Sequence, residues 1–154
     1  MKRFQLKALV AVTALAASGV ALADITVGVI APLTGPASGL GIPVGNQVKL
    51  WPKEIAGQKL NVIVMDDATD PTNGVKAAKK FVSDDKADVI MGSVATPVAI
   101  AVAQVADESG TPQLAWSPAA LPAGKDKWVF RLPQSNAVMG HAVIEHMKKQ
   151  GIKV

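Results

Sequence analysis

Apolar and polar stretches alternate along this chain in the order expected of strands followed by helices. Between the strands, apolar residues recur at helical spacing, which predicts helices over residues 44–56, 70–85, 96–109 and 136–150. Such alternation is typical of an α/β fold, in which helices cover both faces of a doubly wound parallel sheet. Continuous apolar runs predict the strands themselves at residues 25–33, 59–66, 87–92, 112–117 and 128–132.

The residue types at the predicted helix ends support this order. Asp70-Pro71 and Thr96-Pro97 each place a polar residue before a proline that suits the first helical position. Gly57 and Gly110 follow the first and third predicted helices, as helix-terminating glycines do. Pro52 lies inside the first predicted helix, where we expect it to kink the helix or to delay its start by a turn.

The first 23 residues differ in composition from the rest of the chain. Three basic residues near the start precede an uncharged apolar run, and Ala21-Leu22-Ala23 has the small-x-small pattern that signal peptidase accepts. The uncharged stretch from Ala8 to Ala23 is short for a membrane-spanning helix, which needs about 20 apolar residues. We therefore predict that residues 1–23 are a secretory signal peptide cleaved after Ala23, and that the mature protein is periplasmic.

Removal of the predicted signal peptide lowers the net positive charge of the chain. The formal net charge of +4 comes from 16 basic and 12 acidic residues, and without Lys2, Arg3 and Lys7 it falls to 13 basic against 12 acidic. A nearly neutral mature chain whose single arginine is Arg131 offers no basic surface for nucleic acid. The absence of cysteine excludes disulfides and a lipidated N-terminal cysteine. We expect a soluble monomer that binds no nucleic acid.

Three loops follow the carboxyl ends of predicted strands, where parallel sheets bind ligands: residues 34–43, 92–98 and 117–124. The first contains TGPASGLG, which matches the nucleotide-binding pattern of short-chain dehydrogenases. An export signal and the lack of any tyrosine, which that family uses in catalysis, argue against such an enzyme. The glycines leave a second interpretation open, in which they allow a tight turn and close approach of the backbone to another ligand.

The second loop, residues 92–98, has the composition of an anion site. Pro97 fixes the first helical turn, Thr96 supplies a hydroxyl, and backbone N–H groups lie at the positive end of the helix dipole, which suits a carboxylate. In the alternative interpretation Thr96 only caps its own helix. Asp70 carries its own carboxylate at the equivalent position, and we interpret it as a structural cap.

Candidate catalytic groups are few. Asp66 and Asp67 could form a carboxylate pair, contact a ribose, or simply lie in solvent at the end of a strand. His141 and His146 are five residues apart, which does not place them on one helix face as metal ligands, and we interpret both as solvated. The chain shows no Ser-His-Asp arrangement or nucleophile elbow, so we predict no catalytic residue, no metal and no cofactor.

From residue 24 to residue 154 the chain resembles a known family. The segments ITVGVIAPLTGPASGLG, VIVMDDATDPTNGVKAAKKFV, DVIMGSVATPVAIAVAQVADESGTPQLAWSP and WVFRLPQSN look like the N-terminal lobe of type I periplasmic solute-binding proteins. Within that family they resemble the leucine/isoleucine/valine-binding group of ABC importers. The resemblance implies that a second lobe should follow Val154, so the chain, which stops as another strand begins, is expected to be a fragment containing an incomplete N-terminal lobe.

The resemblance also implies a site and its occupant. Proteins of this family close two lobes around an amino acid or a related small carboxylate, which they deliver to a membrane permease. Leu40 would line the side-chain pocket, and Thr96, four residues after Gly92, would bind the ligand carboxylate beside Ala95. Backbone contacts are expected from the loop that contains Ser117, Ala119 and Ala120.

This chain departs from amino-acid-binding relatives at one position of the site. Where those relatives place a hydroxyl for the ligand ammonium group, this loop reads Ala119, Ala120 and Leu121. The apolar side chains of Leu40 and Leu121 therefore leave room for an aromatic or aliphatic acid without an α-amine. Two further classes stay open: a binding protein that serves a receptor, and an exported enzyme related to short-chain dehydrogenases.

Overall fold

The computed structural model describes residues 23–152, so the predicted signal peptide up to residue 22 lies outside the described residues, as does the strand predicted to begin at Ile152, apart from Ile152 itself. The elements follow the predicted alternation of strands and helices. The helices are α1 (Ser38–Val48), α2 (Pro71–Ser83), α3 (Thr96–Ser109) and α4 (Asn136–Lys149). The strands are β1 (Ile25–Ala31), β2 (Glu54–Ile55), β3 (Gln58–Asp66), β4 (Val89–Gly92), β5 (Gln113–Ala115) and β6 (Val129–Arg131).

The strands form one sheet in the order β2-β3-β1-β4-β5-β6. All neighbours pair in parallel except β2, which pairs antiparallel with β3 at the edge. From β1 the chain moves to β3 on one side, then returns past β1 to β4 and continues to β5 and β6 on the other side. This reversal is the topological switch point of a doubly wound α/β sheet, and the predicted fold class is confirmed.

The two faces of the sheet bury separate apolar clusters. On one face, α2 and α3 pack on β1 and β4 through fully buried side chains that include Phe81, Val98 and Ile90. On the other face, Val48 of α1 packs with Val29 and Leu60 of the strands. Because Val29 and Ile30 are adjacent on β1, their side chains point to opposite faces, which explains why β1 is apolar throughout its length.

The first helix lies earlier in the chain than the sequence predicted. The helix predicted over residues 44–56 occupies Ser38–Val48 instead, so Pro52 falls beyond its end and Pro43 lies inside it. Pro52 has no N–H and disfavours a helical conformation at the preceding residue, which favours an end of the helix before Pro52. Gly57 does not end a helix: it follows Ala56 in the turn between β2 and β3, and both residues have positive φ.

The other helices begin close to where the sequence predicted. Asp70 caps α2 by accepting hydrogen bonds from the amides of Thr72 and Asn73, and Gly110 ends α3 in the left-handed conformation. Ser135 caps α4, which buries none of its residues and leaves His141 and His146 exposed. Over residues 23–152, no helix is both long enough and apolar enough to cross a membrane.

Candidate functional site

The switch point lies between β1 and β4, which pair in parallel with Ile30 opposite Gly92. The loop after β1 leads into α1, and the loop after β4 leads into α3. In sheets of this kind the connections from the two central strands separate at the carboxyl edge and leave a crevice that receives ligands. Two of the three predicted loops are therefore brought together at this edge.

The loop after β1 contains the glycine-rich segment. Gly35 has φ of +79°, and a Cβ built on it would lie 2.3 Å from the carbonyl oxygen of Ala68. Only glycine allows so close an approach of these two segments. Leu40 lies in the first turn of α1 and not in a loop, and its side chain is 62% exposed. It is thus available for contact with a bound molecule or with another part of the protein.

The loop after β4 is held tightly against the sheet. Gly92 has φ of +107°, and a Cβ at this position would lie 2.0 Å from the carbonyl oxygen of Ile30 on β1. Ser93 is fully buried, and its Oγ accepts a hydrogen bond of 3.1 Å from the amide of Ala95. Ala95 is the N-cap residue of α3 and Thr96 begins the helix, with its side chain partly exposed.

The four helices of the described residues differ in whether a side chain accepts hydrogen bonds from the free backbone N–H groups at the N-terminus. Asp70 and Ser135 cap α2 and α4 with side-chain oxygens. By contrast, no side-chain hydrogen bond caps α1 or α3, whose N-cap residues are Ala37 and Ala95. The interpretation in which Thr96 caps its own helix is therefore wrong. The two uncapped helices are the two that begin at the switch point, and each presents partial positive charge there.

The third predicted loop follows β5. Ser117 is buried, and its Oγ has no hydrogen-bond partner among the described residues, whereas Ala120 is exposed. The methyl group of Ala119 packs in the core beneath α3, and its carbonyl oxygen accepts a hydrogen bond from Nε of Arg131. Leu121 packs beside the same cluster and lines a cavity along α3 with Ile100. Ala119 could therefore contact a ligand only through its backbone.

Asp66 and Asp67 are not a solvated strand end. Asp66 accepts hydrogen bonds from the amides of Leu33, Thr34 and Ala68 and from the Thr34 hydroxyl. Burial acts to raise the pKa of Asp66, but these hydrogen bonds together hold it below its ordinary value. Three of these hydrogen bonds end on Oδ1 and one ends on Oδ2, so Asp66 is engaged in holding the loop after β1 against the end of β3.

Asp67 is fully buried beside the loop after β4. Its Oδ2 accepts a hydrogen bond of 2.7 Å from the Ser93 hydroxyl, and its Oδ1 accepts one of 2.7 Å from the Thr69 amide. Burial raises the pKa of Asp67, and the charge of Asp66 adds to the effect. Sequence reasoning missed this contact because Asp67 and Ser93 are 26 residues apart. The feature of the sequence that could have indicated this contact is the pair of adjacent aspartates at the end of a predicted strand.

Away from this edge, the described residues form an apolar cavity but no cluster of metal ligands. A cavity of about 450 Å³ lies between α1 and the neighbouring strands, and its apolar lining includes Ile42, Trp51 and Val62. Nowhere in residues 23–152 do three or more His, Cys, Asp or Glu side chains form a group that could hold a metal ion. Among the described residues, the uncapped N-termini of α1 and α3 are the features of this edge that suit an anion.

Comparison with known proteins identifies the family of this chain. The Leu/Ile/Val-binding protein homolog 3 of Brucella melitensis is 37% identical over 148 residues, a match that covers 87% of this chain and 39% of that protein. An extracellular ligand-binding receptor from Rhodopseudomonas palustris HaA2 has a crystal structure that matches with 45% identity and a TM-score of 0.81, over 84% of this chain and 36% of that one.

A third relative has a ligand in its crystal structure. The solute-binding protein of an ABC transporter from Rhodopseudomonas palustris BisB5, in complex with 3,4-dihydroxybenzoic acid, matches with 30% identity and a TM-score of 0.73, over 84% of this chain and 37% of that one. This chain thus spans less than two fifths of the length of these relatives. The family profile described as periplasmic binding protein matches residues 24–154. The chain therefore belongs to the periplasmic binding protein family, type I, in the group of the Leu/Ile/Val-binding proteins.

Proposed function

We propose that this chain is the N-terminal lobe of the extracytoplasmic substrate-binding component of an ABC importer. It captures a small carboxylic acid with an apolar body in a cleft between two lobes, and the loaded protein delivers the acid to a permease in the inner membrane. Residues 1–23 direct export and are removed after Ala23. The protein acts as a monomer, binds without chemical conversion of the ligand, and needs no cofactor.

The observation that carries this proposal is the uncapped N-terminus of α3 at the switch point. A helix N-terminus without its own capping side chain leaves backbone N–H groups free for an external acceptor. The amide of Ala95 already donates to Ser93, so the donors offered here begin at Thr96, the first residue of the helix, whose hydroxyl adds a further donor. A ligand carboxylate supplies the negative charge and the acceptor oxygens that Asp70 supplies at α2.

The class of ligand follows from what two relatives share. One relative is named for leucine, isoleucine and valine, and another was crystallised with 3,4-dihydroxybenzoic acid. Both kinds of molecule combine a carboxylate with an apolar body. Leu40, with its exposed side chain, is suited to contact the apolar body, while the loop with Ser117, Ala119 and Ala120 contributes backbone groups. Ala120, which is exposed and has no hydroxyl to accept from an ammonium group, favours an acid without an α-amine.

The test uses the protein expressed from its complete gene, with any residues encoded beyond Val154. Isothermal titration calorimetry is done with benzoate, 3,4-dihydroxybenzoate and leucine, first on the wild type and then on Thr96→Ala. Losing one hydrogen bond to a charged group should raise Kd roughly tenfold. Thr72→Ala is the matched control, because Thr72 lies in the first turn of a helix whose terminus Asp70 already fills. Full affinity in Thr96→Ala would remove Thr96 from the site.

A further inference from the structure

The segment Asp66–Thr69, which follows β3, contacts both loops of the switch point. We call it the β3 clasp. Towards the loop after β1, Asp66 holds Leu33 and Thr34 through the hydrogen bonds described above. In addition, Oγ1 of Thr69 accepts a hydrogen bond of 3.0 Å from the amide of Ala37. Ala37 is the N-cap residue of α1, so the clasp fixes the residue from which that helix begins.

Towards the loop after β4, the same segment acts through Asp67. The Ser93 hydroxyl donates to Oδ2 of Asp67 at 2.7 Å, and Oγ of Ser93 accepts from the amide of Ala95 at 3.1 Å. Ala95 is the N-cap residue of α3. One four-residue segment thus holds the N-cap residue of each uncapped helix. Alanine has no side-chain oxygen with which to fix its own position, so these links come from elsewhere in the chain.

If the only role of Asp67 were to stabilise the fold, an apolar side chain would serve better than a buried carboxylate. Asp67 and Ser93 are both fully buried, and taking a carboxyl group out of water costs free energy that a well-packed apolar pair would not incur. A hydrogen-bond chain, however, has defined directions and lengths, so it fixes the amide of Ala95 more narrowly than apolar contact would. A helix terminus that binds an anion requires this control of its amide positions.

We propose that the β3 clasp sets the relative position of the N-termini of α1 and α3, and that Asp67 is a positioning residue for ligand binding that acts through Ser93 on Ala95. This inference rests on the proposed function, and it assigns a role to a residue that does not touch the ligand. Asp67 positions the anion-binding terminus of α3, while Asp66 and Thr69 position the glycine-rich loop and the start of α1.

The experiment measures Kd and thermal stability together for Asp67→Asn, Ser93→Ala and the double variant, in the protein expressed from its complete gene. The probe is whichever of benzoate, 3,4-dihydroxybenzoate and leucine the wild type binds. In Asp67→Asn a single acceptor oxygen is left for two donors, the Ser93 hydroxyl and the Thr69 amide, so one of the two links is lost and we expect Kd to rise roughly tenfold. Ser93→Ala removes the link to Ser93 without a change of charge and should have a similar effect. The double variant should be no weaker than the weaker single variant.

The control is Asp70→Ala, which removes the side-chain cap of α2 without removing a side chain of the clasp, and which should lower the melting temperature with Kd within about twofold of wild type. If Asp67→Asn and Ser93→Ala lower the melting temperature but leave Kd unchanged, the clasp is only structural and the inference is wrong. Additive losses in the double variant would also overturn it. If the wild type binds none of the three acids, the proposed function fails, and the inference fails with it.

Discussion

Gly35→Ala would strain the glycine-rich loop in two ways, through its backbone conformation and through a steric clash. An L-residue forced to φ of +79° costs about 1–2 kcal/mol relative to glycine. The new Cβ would also lie 2.3 Å from the carbonyl oxygen of Ala68, so one of two backbone segments must move, and such overpacking costs about 1–3 kcal/mol. The reduced freedom of the unfolded chain offsets about 0.4–1 kcal/mol. At central values the net destabilisation is about 3 kcal/mol.

Gly39→Ala is the matched control, because Gly39 belongs to the same TGPASGLG segment as Gly35. Gly39 lies in α1, has no positive φ, and a Cβ built on it would meet nothing within 4 Å. We expect this variant to be neutral or more stable by up to about 1 kcal/mol, because alanine favours helix. Urea denaturation followed by circular dichroism, analysed at a common m-value, measures both free energies of unfolding. Equal stabilities of Gly35→Ala and Gly39→Ala, within about 0.5 kcal/mol, would refute this reasoning.

Two further changes test the packing and the electrostatics around the site. The pKa of Asp66 lies below its ordinary value of 3.8, so the stabilisation that its hydrogen bonds confer is present above that pH and is lost as the pH falls through the lowered pKa. In denaturation midpoints from about pH 5 to about pH 2, the wild type should therefore lose more stability than Asp66→Asn; parallel curves would contradict this. Phe81→Ala should cost about 3–5 kcal/mol, since the ring is fully buried, whereas Phe130→Ala, at a side chain that is 52% exposed, should cost less than about 1 kcal/mol. Similar losses at the two phenylalanines, measured by urea denaturation, would show that the core is not where the structure places it.

Most of the fold could be predicted because its signals are local in the sequence. Asp70-Pro71 begins α2 where the cap and the proline predict it, and the apolar residues 59–66 form β3 almost as predicted. For α1 the predicted bounds, residues 44–56, were wrong at both ends, and Pro52 lies beyond the helix instead of inside it. The buried Val48, which packs on the sheet, is the last residue of the helix.

The loops of the candidate site could be placed at the carboxyl edge of the sheet from the sequence, but the hydrogen bonds between them could not be predicted. The positions of the loops follow from the order of parallel strands, and Gly92 and Thr96 occupy the expected ends of β4 and α3. The burial of Asp67 and its hydrogen bond to Ser93 join residues on separate elements, and no local pattern indicates which aspartate faces inward. The sequence Asp66-Asp67 alone is compatible with several arrangements of the two side chains. The packing of α2, α3 and the sheet determines that Asp67 is the buried one.

The central claim, that the terminus of α3 binds a carboxylate, is tested most directly by calorimetric titration of an acid against its neutral amide. The pairs are benzoate with benzamide and leucine with leucinamide, added to the protein expressed from its complete gene. Each pair has nearly the same size and shape, so only the charge and the acceptor oxygens change. The account predicts that an acid binds and that its amide binds at least roughly tenfold more weakly. Binding of the amide as tightly as the acid would contradict it.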